Sequence, residues 1–213
     1  PKWDIDTPKI VVYKEDGKIT QLEEINKNEV YFEKPIFGTL GFNALKVKGK
    51  HVKKHLLEKD NIVIQKLLTD CIRNTATTYR YISTYKGEPY LLIRWNSNNS
   101  VSDISVSSLS KAEYSYNYKF TDNSKPENKL LKEMCLKLNK YHKSQFKNII
   151  IIGWDIMINC ENNSIKAYCL EGNIAPGCWG FPDICKQSKI DELNKLCEQF
   201  YINKGIVTKD YFN

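Results

Sequence analysis

The sequence predicts an α+β fold, and three observations support this prediction. Short apolar segments are joined in pairs by tight turns, as at Asp16-Gly17 and Lys86-Gly87, which is the pattern of antiparallel β-hairpins. Helical spacing of apolar residues is confined to separate segments, the clearest between residues 126 and 142. The chain has no internal repeat and no heptad pattern. With 213 residues, it is long enough for one substantial domain or two small ones that share a core.

Each element is predicted from its local composition. Alternating apolar residues predict the hairpins, and the β-branched run Ile62-Val63-Ile64 predicts a buried strand. Pro126 is expected to open a helix, since proline is tolerated in the first helical turn. The predicted elements in chain order are strands within 8–20 and within 29–48, a helix over 51–59, a strand over 61–68, a hairpin over 78–95, a polar, irregular excursion over 96–128, a helix over 126–142, strands over 148–158 and 165–171, a loop over 172–182 and a helix over 189–201.

The net charge of +7 does not by itself indicate a nucleic-acid partner. Almost all of the positive charge is lysine spread along the chain, and the only arginines are Arg73, Arg80 and Arg94. Nucleic-acid surfaces usually add arginine forks and clustered basic runs, so we expect a solvated lysine face instead. No apolar run reaches the roughly 18–20 residues of a membrane span, and no secretory leader is visible.

Cysteine and histidine usage favours structural roles. The seven cysteines contain no C-x-x-C pair, so neither a zinc knuckle nor a redox pair is indicated. The expected setting is the cytoplasm or another reducing intracellular compartment. His51 and His55 share a helix face, but no third metal ligand is nearby, and both are expected to be surface residues.

Two segments are candidates for binding a nucleotide. Lys34-Pro35 leads into a glycine-bearing loop whose backbone N–H groups could approach phosphate oxygens, although a plain hairpin loop explains the same pattern. The strand that ends near Leu68 could offer backbone groups to an adenine edge, or be an ordinary core strand. The candidate contacts are Lys34, Gly38, Thr39, Gly41, Gln65, Lys66, Leu67 and Leu68.

A sharper signal comes from Gly153-Trp154-Asp155 on one strand and Glu171-Gly172-Asn173 at the end of the next. Antiparallel pairing about a turn near 162–163 brings Asp155 and Glu171 together. Two carboxylates and an amide oxygen are ligands suited to Mg²⁺. Since close carboxylates repel each other, removing either charge should leave the metal-free chain no less stable. The alternative is that protein partners satisfy both carboxylates, in which case removing either charge would destabilise the chain.

Taken in order, these segments resemble the ATP-grasp superfamily. K-P-x-x-G-x-x-G, the strand to Gln65, the T-Y-R-Y hairpin, G-W-D-I and L-E-G-N-x-x-P-G cover about residues 30 to 180. They are most similar to the sugar-transfer-associated ATP-grasp group, with glutamate-ligase-type relatives. The resemblance implies an ATP-grasp fold, with two α+β subdomains, 1–66 and 67–213, that hold ATP between antiparallel sheets.

The same resemblance implies cofactors and roles. The candidate nucleotide contacts named above would bind the phosphates and adenine of ATP. Asp155, Glu171 and Asn173 would bind Mg²⁺. Arg80 and Arg94 would face the transferred phosphate or the acceptor carboxylate. The implied activity is a ligase that converts a carboxylate into an acylphosphate for attack by an amine. The alternatives are a kinase-like enzyme acting on a hydroxylated small molecule, or a non-catalytic nucleotide-binding or scaffolding module.

The expected partner is a small-molecule, sugar-linked or peptide carboxylate. Family members usually carry a further N-terminal domain, and only about thirty residues precede Lys34. The substrate-binding part is therefore expected to be missing, supplied by a partner chain, or lost together with activity.

Overall fold

The computed structural model describes residues 3–37, 43–68, 76–86, 89–97, 113–115, 126–161, 164–174 and 187–206. The first part of the chain forms β1 (Ile10–Glu15), β2 (Lys18–Gln21), β3 (Val30–Pro35), β4 (Leu45–Lys48), α1 (Gly49–Glu58) and β5 (Ile62–Lys66). The second part forms β6 (Ala76–Thr84), β7 (Pro89–Ser97), β8 (Glu113–Ser115), α2 (Pro126–Gln145), β9 (Ile151–Glu161), β10 (Ser164–Asn173) and α3 (Gln187–Asn203).

The described strands form two five-stranded sheets in which the paired strands are antiparallel. The first sheet has the order β2-β1-β5-β3-β4 and the second has the order β10-β9-β6-β7-β8. Together with the three helices, these sheets confirm the α+β prediction. In chain order, β5 is the last strand of the first sheet and ends at Lys66, and β6 is the first strand of the second sheet and begins at Ala76. The division into subdomains 1–66 and 67–213 stays a prediction.

The first sheet packs one face against α1. Val52 and Leu56 on the helix join Tyr31, Val47 and other sheet residues in a common buried core. Gly49 opens this helix where the chain passes very close to the backbone of Asn26. A Cβ at position 49 would lie 2.0 Å from the Asn26 carbonyl oxygen, so any side chain there would displace the backbone.

The second sheet packs one face against α2. Leu131, Met134 and Leu138 of the helix share a core with Trp154 and Ile156 of β9. In β9, residues 152, 154, 156 and 158 belong to this core, whereas Asp155 does not. Because side chains alternate along a strand, Asp155 lies on the opposite face of the second sheet, away from α2.

The first residues of the chain contact the second sheet before the chain enters the first. Ile5 packs against the core of the second sheet. The Asp6 carbonyl accepts a hydrogen bond from the backbone N–H of Cys169 at 2.8 Å, and its carboxylate lies 2.7 Å from the Lys166 ammonium. Asp6 therefore lies along the edge strand β10, which leads to the candidate site.

Two predictions about local structure were wrong. The polar segment 96–128 is not irregular throughout, because β8 lies within it and pairs with β7. His51 is exposed as expected, but His55 is half-buried. Its Nδ1 lies 2.7 Å from the carboxylate of Glu33, a side chain that is 1% exposed and that also accepts from Lys59 at 2.5 Å. His55 therefore contacts a buried carboxylate instead of lying free on the surface.

The cysteines include one disulfide. Cys160 on β9 is disulfide-bonded, whereas Cys135, Cys169 and Cys197 are free thiols. Disulfides persist mainly in oxidising surroundings, and the expectation of a reducing compartment stays a prediction. Among the described residues, no helix is both long and apolar enough to cross a membrane.

His142 on α2 predicts a loss of stability in mild acid. Its side chain is fully buried, and burial lowers the pKa of its imidazole. Below about pH 6.5, the usual histidine value, the unfolded chain binds a proton that the folded chain resists. The free energy of unfolding should therefore fall as the pH drops from 7 to 5, by up to about 1.4 kcal/mol per pH unit. Urea unfolding across this range tests the prediction.

The matched control is the exposed His51 on α1. His51→Gln should keep the wild-type dependence on pH, whereas His142→Gln should flatten it at a lower overall stability. Equal pH dependence in wild type and His142→Gln would contradict the assignment.

Candidate functional site

The register of β9 and β10 brings the predicted carboxylates together. Glu171 lies directly opposite Asp155 in the antiparallel pair, and Asn173 lies opposite Gly153. The sequence predicted this proximity from the turn between the two strands. Asp155 is buried, whereas the Glu171 side chain is 42% exposed, so the pair has one buried and one open member.

A β-bulge at Leu170 determines the face on which Glu171 lies. Cys169 is opposite Ile156 and Glu171 is opposite Asp155, so two steps along β10 match a single step along β9. Without the bulge, Glu171 would share the face of Cys169, which belongs to the α2 core. The extra residue instead turns Glu171 to the face of Asp155, as bulges near functional sites often do. Alternation along the sequence alone does not reveal this bulge.

Arg80 on β6 holds Asp155 in a two-point contact. Its Nε donates to Oδ1 and its Nη2 to Oδ2 of Asp155, each at 2.8 Å. The two residues are opposite each other in the β6–β9 register, and both are buried. Burial raises the pKa of Asp155 while the Arg80 guanidinium opposes that shift, and the neighbouring Glu171 carboxylate adds to it. A buried carboxylate is costly unless it is paired, and Arg80 supplies the partner.

Lys34 joins the first sheet to the site on the second. Its ammonium donates to the Leu170 carbonyl at 3.3 Å and lies 3.7 Å from a Glu171 carboxylate oxygen. The Leu170 carbonyl belongs to the bulge, where the regular ladder of strand hydrogen bonds is interrupted. Lys34 was predicted as a phosphate contact, and the structure places its charge beside the predicted metal ligands.

The donor set fits magnesium in combination with phosphate. Among the described residues, no group of three or more His, Cys, Asp or Glu side chains is placed to hold a metal. Asp155, Glu171 and Asn173 instead supply two carboxylates and one amide. Mg²⁺ is usually bound in this way, by one or two carboxylates together with substrate phosphates and water. The Asn173 amide nitrogen donates to Glu171 at 3.1 Å, so a cation would reach the amide oxygen after that side chain turned.

The two hydrogen bonds from Arg80 change the stability expected when the charge of Asp155 is removed. Both oxygens of Asp155 accept from Arg80, so an amide at position 155 would place an N–H₂ group against a buried cation. We therefore expect Asp155→Asn to destabilise the metal-free chain. For the more exposed Glu171, the expectation of little loss is unchanged.

The predicted adenine contacts lie at the end of β5. Gln65 is buried and pairs with both Ile10 and Phe32. The backbone N–H of Lys66 donates to the Lys9 carbonyl at 2.8 Å, so this N–H is already satisfied within the protein.

The structure defines fewer contacts for the other residues predicted to lie at the site. The Lys66 ammonium pairs with Glu29, which raises the pKa of the lysine. Leu67 and Leu68 follow the strand and are half-buried. The backbone of Arg94 lies on β7, opposite Tyr79 on β6. Gly38, Thr39 and Gly41 lie outside the described residues.

Cys169 is a buried thiol beside the site, and its environment argues against a nucleophilic role. Burial raises the pKa of this thiol to about 12, and the nearby charge of Asp155 adds to the effect. Since the thiolate is the reactive form, Cys169 stays protonated and inert at neutral pH. Covalent catalysis through this residue is not indicated.

Comparison with solved structures identifies the fold. The chain is similar to D-alanine–D-alanine ligase from Bacillus anthracis, with a TM-score of 0.55 and 15% identity over 94% of this chain and 63% of that one. It is also similar to D-cycloserine synthetase DcsG, with a TM-score of 0.50 and 11% identity over 82% of this chain and 57% of that one. Both of these proteins are ATP-grasp enzymes. The chain has the ATP-grasp fold.

The ATP-grasp fold was predicted from the sequence and is confirmed. This chain spans less than two thirds of the length of either neighbour. No family model matches the sequence, and no curated protein matches it. The likeness to the sugar-transfer-associated group stays a prediction.

Proposed function

We propose that this chain is an ATP- and Mg²⁺-dependent ligase that activates a carboxylate as an acylphosphate for attack by an amine or similar nucleophile. The observation that carries the proposal is a cluster of two cations and two carboxylates at the junction of the two sheets of an ATP-grasp fold. Lys34 lies 3.7 Å from Glu171, Arg80 donates twice to Asp155 at 2.8 Å, and Glu171 is opposite Asp155 in the β9–β10 pair. The names of both structural neighbours describe ligation or synthesis, which supports this class of reaction.

Charge balance gives these residues their proposed roles. Lys34 and Arg80 contribute two positive charges, and Asp155 and Glu171 contribute two negative charges. Mg²⁺ held by Asp155, Glu171 and Asn173 would supply the extra positive charge needed to neutralise phosphate oxygens. Lys34 already reaches the site from the first sheet, where its ammonium would contact the phosphates directly.

The chain's own contribution to the reaction would be positioning and electrostatics. Lys34 would hold the phosphates in line with the attacking carboxylate oxygen, and Arg80 and Arg94 would face the transferred phosphate or the acceptor carboxylate. In the first step, an oxygen–phosphorus bond forms to the γ-phosphate and ADP leaves. In the second, the amine displaces phosphate from the acyl carbon and loses a proton. Gln65, Lys66, Leu67 and Leu68 would border the adenine.

The proposed acceptor is a small-molecule, sugar-linked or peptide carboxylate. Its binding surface is proposed to lie in another domain or a partner chain, because the chain spans 63% and 57% of the two neighbours. The acceptor class can be screened directly with the isolated chain and, where one is found, with its partner.

Hydroxylamine trapping tests the proposed reaction. The chain is incubated with Mg-ATP, hydroxylamine and a panel of carboxylates, and ADP and hydroxamate are measured together. A ligase of this mechanism should form both in equal amounts, because hydroxylamine replaces the amine in attacking the acylphosphate. Lys34→Ala should abolish both products, whereas Lys46→Ala, at an exposed lysine of the same sheet, should form them at the wild-type rate.

The other outcomes identify the alternatives. ADP formed with hydroxylated compounds and without hydroxamate would indicate a kinase-like enzyme. Tight binding of Mg-ATP without ADP from any compound, with or without a partner chain, would indicate a non-catalytic module. Either result would overturn the proposed ligase activity.

A further inference from the structure

Gly172 separates Glu171 from Asn173, and the space beside it is filled by Trp154. Gly172 and Trp154 are opposite each other in the β9–β10 register. A Cβ at position 172 would lie 2.7 Å from Cζ3 and 2.9 Å from Cε3 of the indole, closer than nonbonded carbon atoms approach. The indole therefore lies directly against the stretch of backbone that carries Glu171 and Asn173, on the opposite face of the sheet.

A buried hydrogen-bond chain holds the indole in place. Trp154 Nε1 donates to Ser83 Oγ at 2.7 Å, Ser83 Oγ lies 2.7 Å from His142 Nδ1, and His142 Nε2 lies 2.8 Å from the Ile149 carbonyl. The indole N–H can only donate and the carbonyl can only accept. His142 therefore carries its proton on Nε2, and the Ser83 hydroxyl donates to Nδ1.

The burial of these hydrogen-bonded side chains makes their arrangement rigid. Ser83 and His142 are both 0% exposed, and Trp154 is 6% exposed. The indole cannot move away from Gly172 without breaking a hydrogen bond in a place where water cannot replace it, which is costly. A contact chain thus runs from α2 through β6 and β9 to the backbone between the two proposed ligands.

We propose that Trp154, held by Ser83 and His142, is a positioning residue that fixes Glu171 and Asn173 for binding magnesium. The proposal rests on the proposed function, because it takes these two residues as metal ligands. Its physical basis is that a strand backbone pressed against a fixed ring has one position rather than several. Residues that orient metal ligands typically change the affinity for the metal about 10- to 100-fold when they are altered.

Binding of Mn²⁺, measured by electron paramagnetic resonance with a non-hydrolysable ATP analogue present, tests the proposal. Gly172→Ala should push the backbone from the indole, and Ser83→Ala should release the indole, so each should weaken Mn²⁺ binding about 10-fold or more. The control is Leu131→Ala, which removes a fully buried side chain from the same core. It should lower the melting temperature while leaving the affinity for Mn²⁺ unchanged.

The possible outcomes separate this proposal from the proposed function. If wild type binds no Mn²⁺, both fail. If wild type binds Mn²⁺ and the folded variants bind it equally well, only the positioning role fails. Equal weakening in Leu131→Ala would also overturn that role, since a general loss of core packing would then explain the effect. Ser83→Ala gives the answer even if Gly172→Ala does not fold.

Discussion

Asp155→Asn is expected to lower the free energy of unfolding of the metal-free chain by about 3–5 kcal/mol, the usual cost of breaking a buried ion pair. The amide keeps the size of the side chain but removes the charge that compensates Arg80. It also turns an N–H₂ group toward a guanidinium that donates from two nitrogens at 2.8 Å. Equilibrium unfolding in urea, followed by tryptophan fluorescence in the presence of EDTA, measures the loss.

Two further variants show that the pair is responsible. Glu171→Gln changes the neighbouring carboxylate in the same way, yet its side chain is 42% exposed and lies 3.7 Å from Lys34, so it should cost less than about 1 kcal/mol. Arg80→Met combined with Asp155→Leu removes both charges and should recover most of the stability, since apolar replacements of buried ion pairs are often neutral. An Asp155→Asn chain as stable as wild type would show that the two carboxylates repel each other more strongly than Arg80 binds Asp155.

The sequence was informative where contacts are local. The turn predicted near 162–163 was sufficient to predict that Asp155 and Glu171 are adjacent, because an antiparallel pair of strands close together in sequence has little freedom in its register. The hairpins and the helices also followed from periodicity and turn residues. β8 was missed because it has only three residues, Glu113–Ser115, and its pairing with β7 is not marked by a short turn.

The parts of the site that could not be predicted depend on distant segments. Arg80 and Asp155 are 75 positions apart, and Lys34 and Leu170 are 136 positions apart. No local pattern specifies the β6–β9 register that places the first pair, or the approach of the two sheets that places the second. The bulge at Leu170 is likewise invisible in the sequence, although it decides whether Glu171 faces the α2 core or the site.

Glu33 and His55 have surroundings that the sequence did not predict. From the sequence, the lysine-rich helix α1 suggested only a solvated surface. In the fold, His55 and Lys59 both turn toward the buried Glu33 carboxylate. Since Glu33 directly precedes Lys34 on β3, the same strand presents one charged residue to the helix and the next to the candidate site. Strand alternation explains this arrangement, but the burial of Glu33 required the structure.

Mg-ATP is expected to raise the free energy of unfolding of the chain. A ligand that binds only the folded state adds about 2.7 kcal/mol at a hundredfold excess over its dissociation constant. In the proposed function, Lys34 would supply a cation for the phosphates, and Asp155, Glu171 and Asn173 would supply oxygen ligands for the metal. Thermal unfolding with and without millimolar Mg-ATP measures the gain, and EDTA should remove most of it.

Two variants divide that gain between phosphate and metal. Lys34→Ala should weaken binding of ATP even without magnesium, because the ammonium acts on phosphate directly. In the absence of metal, Glu171→Gln should be stabilised by ATP as much as wild type is. It should lose the additional stabilisation that Mg²⁺ provides, because one of the two proposed charged ligands is gone. Lys46→Ala serves as the control for the general effect of removing a lysine. Identical melting curves for wild type with and without Mg-ATP would exclude a nucleotide site of useful affinity, and with it the roles of Lys34 and Glu171.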